Sequence, residues 1–273
     1  MSRGAAWPTD LARPVELQRL GSGWVGTTCR ALLADGRAAI VKQTPFPADG
    51  EADGLRALAA AGVPVPAVLG ATENTLVLEA VGADMPPLTA ADWAALGRAV
   101  AGMHLVSAGR YGWHRDNHAG RFPQSNAWND HWPTFFVEHR VRTHLEDPAV
   151  PPELRRRIDR ACDGALPARL PERPRPALTH GDLWRANTVA GRWVIDPEVS
   201  FADRELDLAY MQMSSRNPFP EAFWGGYIDI SPLPDGYPER RRILELHHRL
   251  LQVRHFGERE LPAVHTLLTD QGW

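Results

Sequence analysis

Lysine is nearly missing from this chain: of its 30 basic residues, only Lys42 is a lysine and the rest are arginine. Cysteine is almost as scarce. Cys29 and Cys162 stand too far apart in the 273 residues for a disulfide framework or a thiolate metal site, and both read as structural. No apolar run is long enough to cross a bilayer, and residues 1–20 lack the apolar stretch of a secretory leader, so the expectation is a cytoplasmic protein with no membrane partner. Net charge is also small, at −3 with the arginines scattered, which removes the electrostatic case for a nucleic-acid partner. The tracts Arg155-Arg156-Arg157 and Arg240-Arg241-Arg242 read as solvated helix faces. Apolar residues are plentiful. At 44% of the chain, with ten tryptophans, they suffice for a sizeable core and for a pocket with a flat aromatic wall.

The first 80 residues are strand-rich with one short helix. Asp35-Gly36 is a hairpin turn joining a strand over 26–33 to a strand over 38–43, and Glu51 to Ala61 has helix-forming composition ending at Gly62. The segment over 63–70, with two prolines, breaks that helix and leads into another strand, 75–81 is a further buried strand, and the boundary near 80–85 reads as a hinge between a lobe over 1–80 and a lobe over 81–273. The second lobe is mostly helical. Thr89 is the expected N-cap of a helix to about Ser107, with Leu96, Val100 and Leu105 facing the core; helices are also expected over 132–146, 152–166, 207–214 and 237–256. Two short apolar stretches, Ala177-Leu178-Thr179 and Arg192-Trp193-Val194-Ile195, each open into a loop bearing carboxylates.

The surviving lysine ends the apolar run Ala38 to Val41, a strand and a turn after Gly21-Ser22-Gly23-Trp24-Val25-Gly26. Arginine is bulkier and planar, and cannot replace a compact ammonium that must fit between phosphate oxygens and an acid. A G-x-G-x-x-G pattern alone is weak, but here a strand follows it, not a helix. That context resembles the nucleotide-binding hairpin of protein-kinase-like folds, in which Gly21, Gly23 and Gly26 would let backbone N–H groups approach ATP phosphates and Glu51 would hold Lys42 in place. Glu51 in a first helical turn also suits the helix dipole without any such role.

The sharpest signal is Thr179-His180-Gly181-Asp182-Leu183-Trp184-Arg185-Ala186-Asn187, followed by Val194-Ile195-Asp196-Pro197. Asp182 can accept a hydroxyl proton, while Asn187 and Asp196 offer the hard oxygen ligands that Mg²⁺ prefers. His180 reads as a scaffolding histidine, since the other histidines lack metal-site spacing to it. Asp203 and Asp207 read as braces for the catalytic loop.

With those residues in view, the chain resembles the aminoglycoside and choline phosphotransferase group and, within it, the fructosamine kinase family. The resemblance rests on His180-Gly181-Asp182-Leu183-Trp184, on Tyr111 to Gly120 with Pro123-Gln124, Asn126, Trp128, Trp132, Phe135-Phe136 and Arg140, and on Asp203 to Ala209 with Phe223 and Tyr227. It implies an α+β bilobal protein-kinase-like fold, with a small antiparallel-sheet N-lobe carrying one helix and a larger, mainly helical C-lobe. It also implies ATP and Mg²⁺ as cofactors, Glu79 to Val81 beside the adenine, Asp182 as base, and transfer of the γ-phosphoryl group to a ketosamine hydroxyl. The acceptor would be a small sugar-amine or a glycated protein, met by Trp184, Asp116 and Asn117. The chain departs from the family pattern at His118, Arg185 and Glu198 to Phe201, which flank the expected acceptor pocket. Two other readings stand beside this one: phosphorylation of an aminoglycoside or amino alcohol, and a nucleotide-binding pseudokinase. The oligomeric state is not legible.

Overall fold

The computed structural model describes residues 6–23, 26–213 and 217–273. Trp24 and Val25 of the glycine-rich segment lie outside the described residues.

Alternation along the first strands determines how the small lobe is layered. β1 (Pro14–Gly23), β2 (Gly26–Leu33) and β3 (Ala38–Gln43) pair as an antiparallel meander, with Gly36 at the tight turn in a left-handed conformation (φ +85°). Helix α1 (Asp49–Ala60) follows, and β4 (Val68–Ala71) with β5 (Thr75–Glu79) completes a five-stranded sheet in the order β1-β2-β3-β5-β4. Successive strand residues point to opposite faces. Ala39, Val41 and Val77 therefore pack with Trp7, Leu11 and Leu33 on one side, while Ile40, Leu76 and Leu78 meet Ala52 and Leu55 of α1 on the other. Lys42 shares the parity of Ile40, and so points to the α1 side.

Residues beyond β5 build a larger, mainly helical lobe. α2 (Ala90–Leu105) opens with Thr89 as N-cap in a reciprocal capping box with Asp92. Leu96 and Val100 are buried as expected, but Leu105 is 47% exposed. The correction follows from helical pitch: nine residues at about 100° each place Leu105 half a turn round from Leu96. A hairpin of β6 (Asn117–Ala119) and β7 (Phe122–Gln124) precedes α3 (Trp132–Phe136). The expected single helix over 132–146 instead widens into a π turn at Val137–Val141 and tightens into a 3₁₀ turn at Arg142–His144. The wide turn carries Arg140, almost wholly buried and bonded to Ser125 O, Asn126 Oδ1 and Ser200 Oγ.

α4 (Pro152–Cys162), β8 (Ala177–Thr179), β9 (Thr188–Val189), β10 (Trp193–Val194) and β11 (Ser200–Ala202) come next, with β8 paired to β11 and β9 to β10. Helices α5 (Glu205–Met213), α6 (Glu221–Ile230), α7 (Tyr237–Phe256) and α8 (Leu261–Asp270) complete the chain. The protein-kinase-like architecture expected from the sequence is thus present. Helices α6 and α8 were not expected.

The arginine tract at the start of α7 is not a solvated face. Arg240 grips the buried Glu205 with two bonds of 2.6 and 2.8 Å, and Arg242 joins Arg249 on the buried Glu245. No helix among the described residues is long and apolar enough to cross a membrane.

Helices α2 and α6 cross at contact distance because glycine occupies the crossing. A Cβ at Gly97 would lie 2.0 Å from Phe223 O, and one at Gly226 would lie 2.0 Å from Ala94 O. Gly97→Ala should therefore destabilise the protein by about 2 kcal/mol or more through overpacking against backbone. Urea unfolding measures this, and a variant within about 0.5 kcal/mol of wild type would contradict the crossing.

Candidate active site

Three elements bring charge to the cleft between the lobes. Lys42 Nζ, from β3, lies 2.6 Å from Glu51 Oε1 on α1 and also touches Asp196 Oδ1, which follows β10. Burial disfavours the ammonium, but the Glu51 and Asp196 carboxylates outweigh it and hold the pKa of Lys42 above its usual value. For Glu51 burial dominates and raises the pKa, with Lys42 opposing. The contact between Lys42 and Asp196 was not foreseen. The two residues are 154 positions apart in the chain, and no local pattern connects them.

Asp196 itself is held in an uncommon backbone state. Its φ is +59°, and Pro197 follows, a neighbour that restricts the preceding residue further. Pro197 and Val199 then lean on α1, where a Cβ at Gly54 would sit 3.0 Å from Pro197 Cγ and 3.3 Å from Val199 Cγ2. α1 is also clamped from the larger lobe: Asp53 accepts from Trp113 Nε1 at 3.0 Å and meets His114 Nε2 at 2.8 Å, while Arg115 reaches Asp49 at 2.5 Å. Nothing in the pattern of the sequence alone announced this clamp.

The loop after β8 carries the expected base. Asn187 Nδ2 donates to Asp182 Oδ2 at 2.7 Å and to its backbone oxygen at 2.8 Å. A carboxylate partner fixes which end of that amide is nitrogen, so Asn187 Oδ1 is left without a donor among the described residues. Burial pushes the Asp182 carboxyl up to about 7, with Asp196 and Asp207 adding repulsion and hydrogen bonds from Tyr210 and Asn187 opposing it. His180 is held at both ring nitrogens: its Nδ1 accepts from Asp182 N–H at 3.2 Å, and Nε2 lies 3.1 Å from Ile195 O.

Asp207 anchors this loop from α5. Its oxygens accept from His180 N–H at 2.6 Å and Gly181 N–H at 2.9 Å, and His104 Nε2 lies 3.2 Å away. Burial would raise its pKa, but the hydrogen bonds from His104 and from the His180 N–H leave it lowered. Asp203 has a different position: it accepts from Glu205 N–H at the start of α5, and burial with the Glu205 charge raises it to about 7. Two residues absent from the sequence-based set complete the surroundings. Tyr210, one turn after Asp207, hydrogen-bonds Asp182, and His248 stacks on it at 3.9 Å while lying 2.9 Å from Gly181 O.

The remaining expected residues divide. Gly23 and Gly26 face each other where β1 and β2 meet, with Gly21 opposite Thr28. Gly26 has a packing reason as well, since a Cβ there would lie 2.1 Å from Gln43 O. Glu79 ends β5 with its side chain exposed, and Val81 follows it, half-buried. Trp184 is half-buried beside Asp182. Asp116 is exposed but accepts from Asn126 N–H at 2.8 Å. Asn117 does not present itself to a ligand: it is buried, donates to Val199 O and accepts from Gln124 Nε2, both at 3.0 Å. Its amide is used up holding the hairpin to β11.

The oxygens of Asn187 and Asp196 suit a divalent cation of Mg²⁺ type, with the further ligands such a cation takes coming from phosphate and water. A lysine and acid pair, a buried carboxyl group and this oxygen pair on a kinase-like scaffold define a phosphotransferase fold class. A sequence model of the fructosamine kinase family matches residues 42–271, and the chain belongs to that family. It is similar to a probable ketoamine kinase of Synechocystis, with 35% identity over 182 residues, which is 60% of this chain and 57% of the relative. The aligned stretch thus spans little more than half of that relative's length. A candidate fructosamine-3-kinase of known structure from Thermobifida fusca superposes with a TM-score of 0.85 at 29% identity, covering 96% of both chains. An amicoumacin kinase solved with AMP-PNP and Ca²⁺ shares the fold at a TM-score of 0.57 and 14% identity, covering 96% of this chain and 89% of its own.

Asp207→Asn tests the loop anchor. An amide would turn donors toward donors at a buried position, so unfolding free energy should fall by about 3 kcal/mol. A urea midpoint equal to that of wild type would show that the loop is held by other contacts.

Proposed function

We propose that this chain is an ATP- and Mg²⁺-dependent kinase that phosphorylates a hydroxyl of a ketosamine, a sugar-amine adduct free or borne on a glycated protein. The observation that carries the reading is the convergence of Lys42, Glu51, Asp182, Asn187 and Asp196 from four separate segments, in a member of the fructosamine kinase family. The amicoumacin kinase, which shares the fold, was solved with AMP-PNP and Ca²⁺, and that supports a nucleotide and a divalent metal as ligands of this fold.

Residues 1–80 form the nucleotide lobe and 81–273 the catalytic lobe in this reading, with the hinge after Glu79. ATP supplies the phosphoryl group, and Mg²⁺ supplies neutralisation of its charge. Gly21, Gly23 and Gly26 let the backbone approach the phosphates, Glu79 to Val81 border the base, and Asn187 and Asp196 hold the metal. Lys42 keeps a compact positive charge beside the phosphates because Glu51 orients it. Asp182 takes the proton of the acceptor hydroxyl as that oxygen bonds to the γ-phosphorus and the bond to the leaving ADP breaks. Its raised pKa suits a base that must accept a proton near neutral pH. Trp184 and Asp116 border the acceptor.

Purified protein offered ATP with ketosamines, aminoglycosides or amino alcohols should release ADP with the ketosamines. Turnover confined to another class would replace this acceptor. Asp182→Asn should lower turnover by about a hundredfold to ten-thousandfold while calorimetric MgATP affinity stays near wild type; a variant retaining half of wild-type turnover would remove Asp182 from the role of base.

A further inference from the structure

One acid beside the catalytic loop has no cation in contact among the described residues. Glu198 is 9% exposed, and among the described residues the only donor to its carboxylate is Gly120 N–H, 2.9 Å from Oε1. That bond fixes the side chain and leaves Oε2 without a protein partner. The backbone places the residue against the base: Glu198 N–H donates to His180 O at 2.7 Å, and a Cβ at Gly181 would lie 2.9 Å from Glu198 Cβ. Gly181 takes φ +86° there, so the approach requires glycine.

The buried Arg140 favours the charge of Glu198 from beyond contact, but its donors are committed elsewhere. Arg140 spends its donors on Ser125 O, His139 O, Asn126 Oδ1 and Ser200 Oγ, and forms no ion pair among the described residues. The groups on the other side are two more acids, Asp182 and Asp196, and the one ammonium there, Lys42, is already held by Glu51 and Asp196. A carboxylate so buried is costly unless a positive partner meets it. A small acceptor bearing an ammonium near its reacting hydroxyl would supply that partner and reach Asp182 at once.

We propose that Glu198 is a specificity-determining residue that binds the ammonium of the acceptor while Asp182 takes the proton of its hydroxyl. The inference rests on the ketosamine reading above and deepens it. It makes the amine nitrogen, and not only the sugar, part of what is recognised. It also gives a function to one position at which the chain departs from its family's sequence pattern.

The test compares a ketosamine with a secondary amine against a sugar of the same size whose nitrogen is replaced by an ether oxygen. For wild type, kcat/KM should favour the amine. In Glu198→Gln, which keeps shape and the ability to accept from Gly120, the ratio of amine to ether should fall by about tenfold to a hundredfold, the worth of a charge-assisted hydrogen bond. The KM for MgATP should stay at its wild-type value, and the melting temperature should not fall, because the neutral amide removes the cost of a buried carboxylate. Glu198→Asp, one methylene shorter, should recover part of the ratio. An unchanged ratio, or equal losses on both acceptors, would overturn the role of Glu198 while leaving the ketosamine reading intact. Wild-type protein that phosphorylates neither sugar would overturn both.

Discussion

One ammonium joins the two lobes. Lys42 comes from the central strands of the sheet, Glu51 from the helix behind them and Asp196 from the far lobe, and all three meet at a single nitrogen. Two carboxylates converging on a partly buried point repel each other unless a cation lies between them. The positions of α1, the sheet and the loop after β10 therefore depend on that cation together with the clamp that Trp113, His114 and Arg115 form on Asp53 and Asp49. Guanidinium is planar and larger, and would push the two acids apart. A chain that uses arginine at every other basic position has a physical reason to use lysine at this one.

The catalytic loop depends on a second arrangement behind it. α5 presents Asp207 to the backbone N–H groups of His180 and Gly181, and one turn later presents Tyr210 to Asp182. α7 adds His248, which stacks on Tyr210 and bonds Gly181 O. Both helices are packed into the core of the larger lobe, with Leu206 and Leu250 buried there. Asp182 is thus positioned from rigid elements, while the loop itself carries the residues proposed to meet ligands.

Much of this was legible in order along the chain. The Asp35-Gly36 turn, the span of β3, the Thr89 cap and the limits of α7 follow from local rules of turn, alternation and capping. The spacing of Asp182, Asn187 and Asp196 was legible for the same reason, because the loop and short strands that carry them are local. What stayed hidden depends on distant partners. Helix α6 contains Gly225 and Gly226, which lower helix propensity, and Gly226 is explained only by the crossing with α2. The π turn around Arg140 serves bonds to residues 125, 126 and 200 that no local window contains. Asn117 was expected at the acceptor, yet its partners on β7 and before β11 use both ends of its amide.

Turnover of Lys42→Arg at saturating ATP and acceptor, read beside its melting temperature, tests the role of that ammonium most directly. A folded variant should lose turnover by about a hundredfold, the effect of misplacing a reacting group by roughly 1 Å. A surface lysine replaced by arginine changes stability by no more than about 0.5 kcal/mol and leaves activity alone. A folded Lys42→Arg protein with full turnover would contradict the dependence of the site on a compact ammonium at Lys42.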